Sequence, residues 1–251
     1  MIPVKSVVEI GYMRESNRIV GSLLQELEAK IVPGITTGEL DSFAESFIRH
    51  LGGKPAFKGY VTGGLGPYPA TVCASVNSCI VHGIPSSKKI LEEGDIIGID
   101  VGVYKDGYYG DAARTYSVGR ISEPADKLMD VTKKALSVGI AQARDGARVG
   151  DISSAIGEYV MSKGYFIADS LTGHGIGTKL HEEPIIPNIG IPNRGPRLKK
   201  GMTLAIEPMV NIGTNRVIEK GWEFFVADGS LSAHFEHTIL ITEDEPEILT
   251  L

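Results

Sequence analysis

Apolar residues in the first part of the chain recur at three- and four-residue steps. Val20, Leu23, Leu24, Leu27 and Ile31 form one such stripe within residues 6–31. That spacing lines one face of an α-helix, and Pro33-Gly34 ends it. Leu40, Phe43, Ala44, Phe47 and Leu51 form a second stripe, with Thr36 and Glu39 ahead of it at capping-box spacing and Gly52-Gly53 closing it. The pattern then changes. Residues 54–69 are rich in Gly, Pro and Tyr and predict a loop, whereas TVCASVN and CIVHGIP predict short strands. Two more helical patterns cover about 125–144 and 150–163. After them comes a Gly-rich passage, TGHGIGTKLHEEP, and then strand patterns over 202–212, 223–227 and 233–242.

The clearest local signal is IIGIDVGVYKDGYYGDAART, residues 96–115. Two apolar, β-branched or aromatic runs flank Asp106-Gly107, a two-residue hairpin turn. Pairing Lys105 with Tyr108 sets Asp100 opposite Ala113 and Asp111 opposite Gly102. Opposed residues share a face and faces alternate, so the two aspartates are diagonal neighbours, roughly 7–8 Å apart at the backbone. A one-residue slip would separate them. Two carboxylates on one apolar face resist ionisation unless a cation lies between them. Taken alone, the pair also fits a solvated hairpin with two surface aspartates.

An internal repeat changes that balance. Gly34, Gly38-Glu39-Leu40 and Gly52 recur as Gly146, Gly150-Asp151-Ile152 and Gly164, each 112 residues on. LEEGDIIGID, ending at Asp100, recurs as LKKGMTLAIE, ending at Glu207, and the HGI at His82 recurs at His174. The expectation is one α+β catalytic domain over 1–251, with similar halves of about 1–120 and 121–251 sharing a site between them. Glu207 is then the counterpart of Asp100, and the strand SAHFEHTILIT adds Glu236. Burying four carboxylates and a histidine is costly without a metal.

Composition adds exclusions. With 42% hydrophobic and 22% charged residues the chain is ordinary globular material, long enough for one large core or two modest ones. Its 25 basic and 31 acidic residues, net −6, offer no basic stripe for direct nucleic-acid or membrane binding. The first twenty residues lack a signal-peptide pattern and no apolar run approaches membrane-spanning length, so a cytoplasmic location is expected. Cys73 and Cys79 have neither zinc nor redox spacing and read as free thiols.

The set Asp100, Asp111, His174, Glu207 and Glu236 resembles the ligand set of the pita-bread metallohydrolases. CASVNSCIVHGIP, TGHGIGTKLHEEP, AIEPM and SAHFEHT are similar in particular to the type I methionine aminopeptidases, and the resemblance spans essentially the whole chain. It implies a pita-bread fold, two pseudo-symmetric halves of antiparallel sheet covered by helices. It also implies two divalent ions, of Co, Mn, Fe or Zn. Asp111 and Glu236 would bridge them, Asp100 would complete one site, and His174 and Glu207 the other. A hydroxide shared by the ions would attack the first peptide bond, with Glu207 as general base. The implied substrate is the N-terminal methionine of nascent polypeptides, met near the ribosome by a monomer.

His82 and His181 would by the same resemblance flank the scissile amide. His50, His234 and His237 read as surface or structural residues. Tyr68, Cys73 and Trp222 match positions lining a methionine slot, a soft thioether being suited to aromatic and sulfur contacts. Thr62 and Leu65 stand where the family commonly has Cys and Tyr, and His234 where it has Gln. Two other readings remain at this point. One is an X-Pro-directed aminopeptidase or dipeptidase of the same fold, though those enzymes carry an extra N-terminal domain for which this chain has no room. The other is a catalytically dead pita-bread binding module.

Overall fold

The computed structural model describes residues 2–251. The first half contains α1 (Val7–Glu28), α2 (Thr37–His50), β1 (Lys54–Pro55), β2 (Val72–Val76), β3 (Cys79–Val81), β4 (Ile96–Lys105) and β5 (Tyr108–Ser117). The second contains α3 (Glu123–Ile140), α4 (Val149–Ser162), β6 (Phe166–Ile167), β7 (Thr172–Gly175), β8 (Glu182–Pro187), β9 (Thr203–Ile206) and β10 (Met209–Asn211). It continues with β11 (Val217–Lys220), β12 (Glu223–Val226), β13 (Ser232–His234), β14 (His237–Leu240) and β15 (Glu247–Ile248). Helix pair, then antiparallel strands, occurs twice.

The helix starts follow their capping signals. Thr36 Oγ1 accepts from the Glu39 amide while the Glu39 carboxylate accepts from the Thr36 amide. Ser6 and Glu9 do the same for α1, and such a cap contributes about 1 kcal/mol. The repeat carries this device across: the Asp151 carboxylate, 112 residues beyond Glu39, accepts from the Arg148 amide at the start of α4.

Each helix pair buries its stripe on the sheet of its own half. Leu23, Leu24, Leu27, Leu40, Ala44 and Ile48 pack on Ile97, Ile99, Val101 and Val103 of β4. Leu128, Leu136, Ile152, Ile156 and Val160 pack on Leu204, Ile206 and Ile239 of β9 and β14. Fully burying one such side chain is worth about 1.5–3 kcal/mol. The odd-numbered residues of β4 are committed to this core, so the even-numbered ones, Asp100 among them, face the other way.

Four sheets result, with orders β1-β4-β2 plus β5 on β4, β13-β10-β6, β11-β12-β3, and β15-β14-β9-β7-β8. The third joins the halves, because β3 of the first half pairs with β12 of the second.

Several boundaries differ from the sequence reading. β1 lies inside the expected loop and pairs with Val103 and Tyr104. β7 and β8 flank the turn of the Gly-rich passage, whose glycines hid the strand pattern. The strand expected over 202–212 breaks at Glu207-Pro208, where proline lacks an N–H for the ladder. The strand expected over 233–242 breaks at Phe235-Glu236, because the Glu236 amide donates across the halves to the Ala113 carbonyl at 2.8 Å. Helix α3 stops at Ile140 rather than near Arg144. No helix among the described residues is long and apolar enough to cross a membrane.

Candidate metal centre and its cleft

The hairpin has the register the turn dictates. Lys105 pairs with Tyr108, Asp100 with Ala113 and Gly102 with Asp111. Asp106 and Gly107 take φ of 50° and 92°, which a two-residue turn of matching twist requires. Asp100 and Asp111 therefore share the face turned away from the helices, and their carboxyl groups lie against each other.

The last strands close over that face. Thr115 Oγ1 donates to the His234 carbonyl at 2.8 Å and accepts from its amide at 2.9 Å. Thr238 Oγ1 donates to the Asp111 carbonyl at 2.7 Å. Together with the Glu236 amide these bonds stitch residues 234–238 to β5 and bring the buried Glu236 beside Asp111. The break after Ile206 frees the Glu207 carbonyl, which accepts from Asn188 Nδ2 at 3.0 Å. On β7, His174 lies with Nε2 3.6 Å from Glu207 Oε1 and 3.9 Å from Asp111 Oδ2. Its Nδ1 is engaged with the Gly175 carbonyl at 2.9 Å, which leaves Nε2 free for an ion.

These separations fit a metal better than a hydrogen-bond network. N–H···O bonds span about 2.7–3.2 Å, whereas two atoms each about 2.1 Å from one tetrahedral ion stand about 3.4 Å apart. Asp111, His174 and Glu236 each offer an atom within 4.8 Å of the others, and so do Glu207, His234 and Glu236. Asp100 Oδ1, Asp111 Oδ1 and Glu236 Oε1 are buried without a hydrogen-bond partner among the described residues. Burial, and then repulsion by the neighbouring carboxylates, Asp100 and Glu207 for Asp111 and chiefly Asp111 for Glu236, pushes the carboxyl pKa values of Asp111 and Glu236 well up. Burial lifts Asp100 to about 7 and Glu207 to about 8, and drives His174 down to about 3. Divalent cations would relieve both the repulsion and the unpaired oxygens.

The cluster opens into a cleft of about 760 Å³ lined by Asp100, Asp111, His174, Glu207 and Glu236 together with His82, His181, Tyr68, Cys73, Trp222 and Thr62. His82 adopts φ 59° between the rings of Trp222 and Phe224, and its Nδ1 is buried without a partner among the described residues. A non-glycine residue in that region is uncommon and marks a site held by its surroundings. A Cβ at the next residue, Gly83, would collide with the Ala74 backbone, so the HGI glycine permits this approach. Burial lowers the His82 pKa to about 4, keeping the ring neutral. His181 lies at the rim with its ring centroid 4.4 Å from that of His174.

The side-chain slot differs in part from expectation. Tyr68 and Cys73 are buried, and Trp222 packs edge-on against Tyr68 while donating from Nε1 to the Gly66 carbonyl at 3.1 Å. Both cysteines are free. Thr62 lines the cleft, but Leu65 is not among its lining residues; Phe57 and Tyr60 are. The Tyr60 hydroxyl lies 2.8 Å from His181 Nδ1. An aromatic in a Gly-rich loop was the only signal for either residue. His50, at the end of α2, is not among the residues lining the cleft, and His237 Nδ1 pairs with Thr250 Oγ1 at 2.8 Å. His234, read as a surface or structural residue, is buried at 3% exposure, with Nε2 3.4 Å from Glu207 Oε2. Its position two residues before Glu236 puts it on the same strand face, the one sequence cue available.

Known proteins agree with this geometry. The chain is 49% identical to a methionine aminopeptidase of Clostridium acetobutylicum, over 100% of this chain and 99% of that protein. The solved structure of a methionine aminopeptidase from Thermotoga maritima superposes with a TM-score of 0.96 at 46% identity, covering 100% of this chain and 99% of that one. The prolidase of Pyrococcus furiosus shares the pita-bread fold at a TM-score of 0.80 and 25% identity, covering 99% of this chain but 65% of its own. The profile of metallopeptidase family M24 matches residues 11–243, a span that holds every carboxylate and histidine of the cluster. With a cation-seeking centre and full-length relatives pointing the same way, the chain belongs to metallopeptidase family M24.

Proposed function

We propose that the chain is an aminopeptidase that removes an N-terminal methionine from peptides and nascent polypeptides. The observation that carries this is one cleft in which a buried acidic cluster adjoins a slot built from Phe57, Tyr68, Cys73 and Trp222. The cluster fits a hydrolytic centre, and the slot suits a thioether that prefers aromatic and sulfur contacts.

Asp100, Asp111, His174, Glu207 and Glu236 would hold two divalent ions. Glu236 belongs to both groups of close ligand atoms, which supports a shared role for it. Divalent ions held by these residues would supply Lewis acidity to an amide carbonyl and a more acidic water near neutral pH. Glu207 takes the proton of the attacking water as general base and passes it to the departing amine. His82, neutral and unpaired at Nδ1 among the described residues, hydrogen-bonds the substrate beside the amide nitrogen. His181 donates to the carbonyl oxygen as negative charge develops there, a contribution typically worth ~10²–10³ in rate. Tyr60 holds His181 at Nδ1 and leaves Nε2 for the substrate. A phenol is a stronger acid than a neutral imidazole N–H, so the hydroxyl donates and His181 keeps its proton on Nε2.

The discriminating assay compares Met-Gly-Met-Met with X-Pro peptides after loading with Mn or Co. Release of methionine alone is expected. Turnover of only the proline peptides replaces this reading with a proline-directed peptidase, and turnover of neither leaves a binding module. The reading also assigns a cytoplasmic monomer that meets nascent chains at the ribosome, which light scattering and ribosome co-sedimentation test.

A further inference from the structure

We infer that His234 is itself a metal ligand, giving the centre a second imidazole beside Glu207 and Glu236. His234 Nε2 is buried and has no hydrogen-bond partner among the described residues. It lies 3.4 Å from Glu207 Oε2, outside the usual hydrogen-bond range and equal to the spacing of two atoms about 2.1 Å from one tetrahedral ion. Glu207, His234 and Glu236 each present an atom within 4.8 Å of the other two.

The position is built rather than incidental. Both backbone polar groups of His234 are held by the Thr115 hydroxyl, at 2.8 and 2.9 Å, which fixes the Cα and aims the ring at the cluster. His234 does not line the cleft, so it would hold an ion from the closed side and leave the open side to water and substrate. Glu207 turns Oε1 toward His174 and Oε2 toward His234, so both imidazoles adjoin the ion that Glu207 would hold. Oxygen-only surroundings suit Mn, and added imidazole favours Zn, Co and Ni.

The inference rests on the metal-holding reading above, and the experiment separates the two. The full chain is stripped with a chelator, and Zn²⁺ and Mn²⁺ affinities are measured by competition with an indicator. His234→Gln is expected to weaken Zn²⁺ at the affected position by about 10–100-fold while changing Mn²⁺ much less. An unchanged Zn²⁺ affinity, or equal losses for both ions, overturns the inference. Because a buried substitution can unfold a protein, the wild-type chain provides a second measurement. In the Co²⁺-loaded protein each ligating histidine contributes one paramagnetically shifted, exchangeable ring N–H resonance. Two are expected, from His174 and His234. Full Co²⁺ occupancy with a single such resonance removes His234 alone, whereas no bound Co²⁺ removes the metal centre with it.

Discussion

Stripping the metal should make the fold less stable as pH rises, the reverse of the usual behaviour of paired carboxylates. A carboxyl whose folded-state pKa exceeds its unfolded value stabilises the fold while protonated. That contribution is complete below the unfolded pKa and is lost as pH rises through the folded one. Burial lifts Glu207 from 4.5 to about 8 and Asp100 from 3.8 to about 7, and holds Asp111 and Glu236 well above their ordinary range. Buried histidines act in the opposite sense. His82 and His174, lowered from 6.5 to about 4 and about 3, cost stability as pH falls below 6.5 and leave the region above it to the carboxylates. Between pH 6.5 and 8 each proton retained only by the folded state changes stability by about 1.4 kcal/mol per pH unit. One proton, that of Glu207, amounts to about 2 kcal/mol over this interval, and Asp111 and Glu236 add to it. For a chain of this size that lowers Tm by at least about 4 °C. The assay is calorimetry of chelator-stripped protein at the two pH values, repeated with saturating Mn²⁺. The ion displaces those protons and binds more tightly as pH rises, so the Tm gap between loaded and stripped protein should widen. A stripped-protein Tm that stays level or climbs from pH 6.5 to 8 would refute the buried, mutually repelling cluster.

Glu207→Gln keeps length and removes basicity, so turnover should fall by at least ~10² with the fold retained; near-normal turnover at saturating metal excludes the base role, though not ligation. His82→Ala should lower turnover by ~10²–10³ at unchanged metal content, and a parallel loss of metal would instead make it a ligand. Thr238→Val deletes the hydroxyl that donates to the buried Asp111 carbonyl. Urea denaturation should register a cost of about 1–3 kcal/mol, and no cost would mean that the carbonyl finds another donor. Tyr60→Phe removes the bond to His181 Nδ1; kcat should drop by up to about tenfold, the worth of one hydrogen bond, with KM little changed. A rise in KM alone would assign Tyr60 to substrate binding instead.

Much of the centre was legible because its signals are short-range. The Asp106-Gly107 turn and strict strand alternation fix which residues of β4 and β5 oppose each other, so Asp100 and Asp111 share a face whatever the rest of the chain does. The Thr36–Glu39 capping box is likewise complete within four residues. The repeat extended that local reasoning to Glu207. Other features depend on segments distant in sequence. Tyr60 reaches His181 across 121 residues, and Trp222 reaches His82 only because β12 pairs with β3. Leu65 was assigned to the slot by resemblance to the family's pattern, but glycines leave such a loop's path to its tertiary contacts, and these turned Phe57 and Tyr60 inward instead. His234, ahead of the last strand, read as a surface or structural residue, and its ring faces the carboxylate cluster because Thr115, on a strand from the other half, grips its backbone. Periodicity and turn chemistry act over a few residues and are written in the sequence. Contacts between halves are set by how two buried faces pack, and only the folded chain decides them.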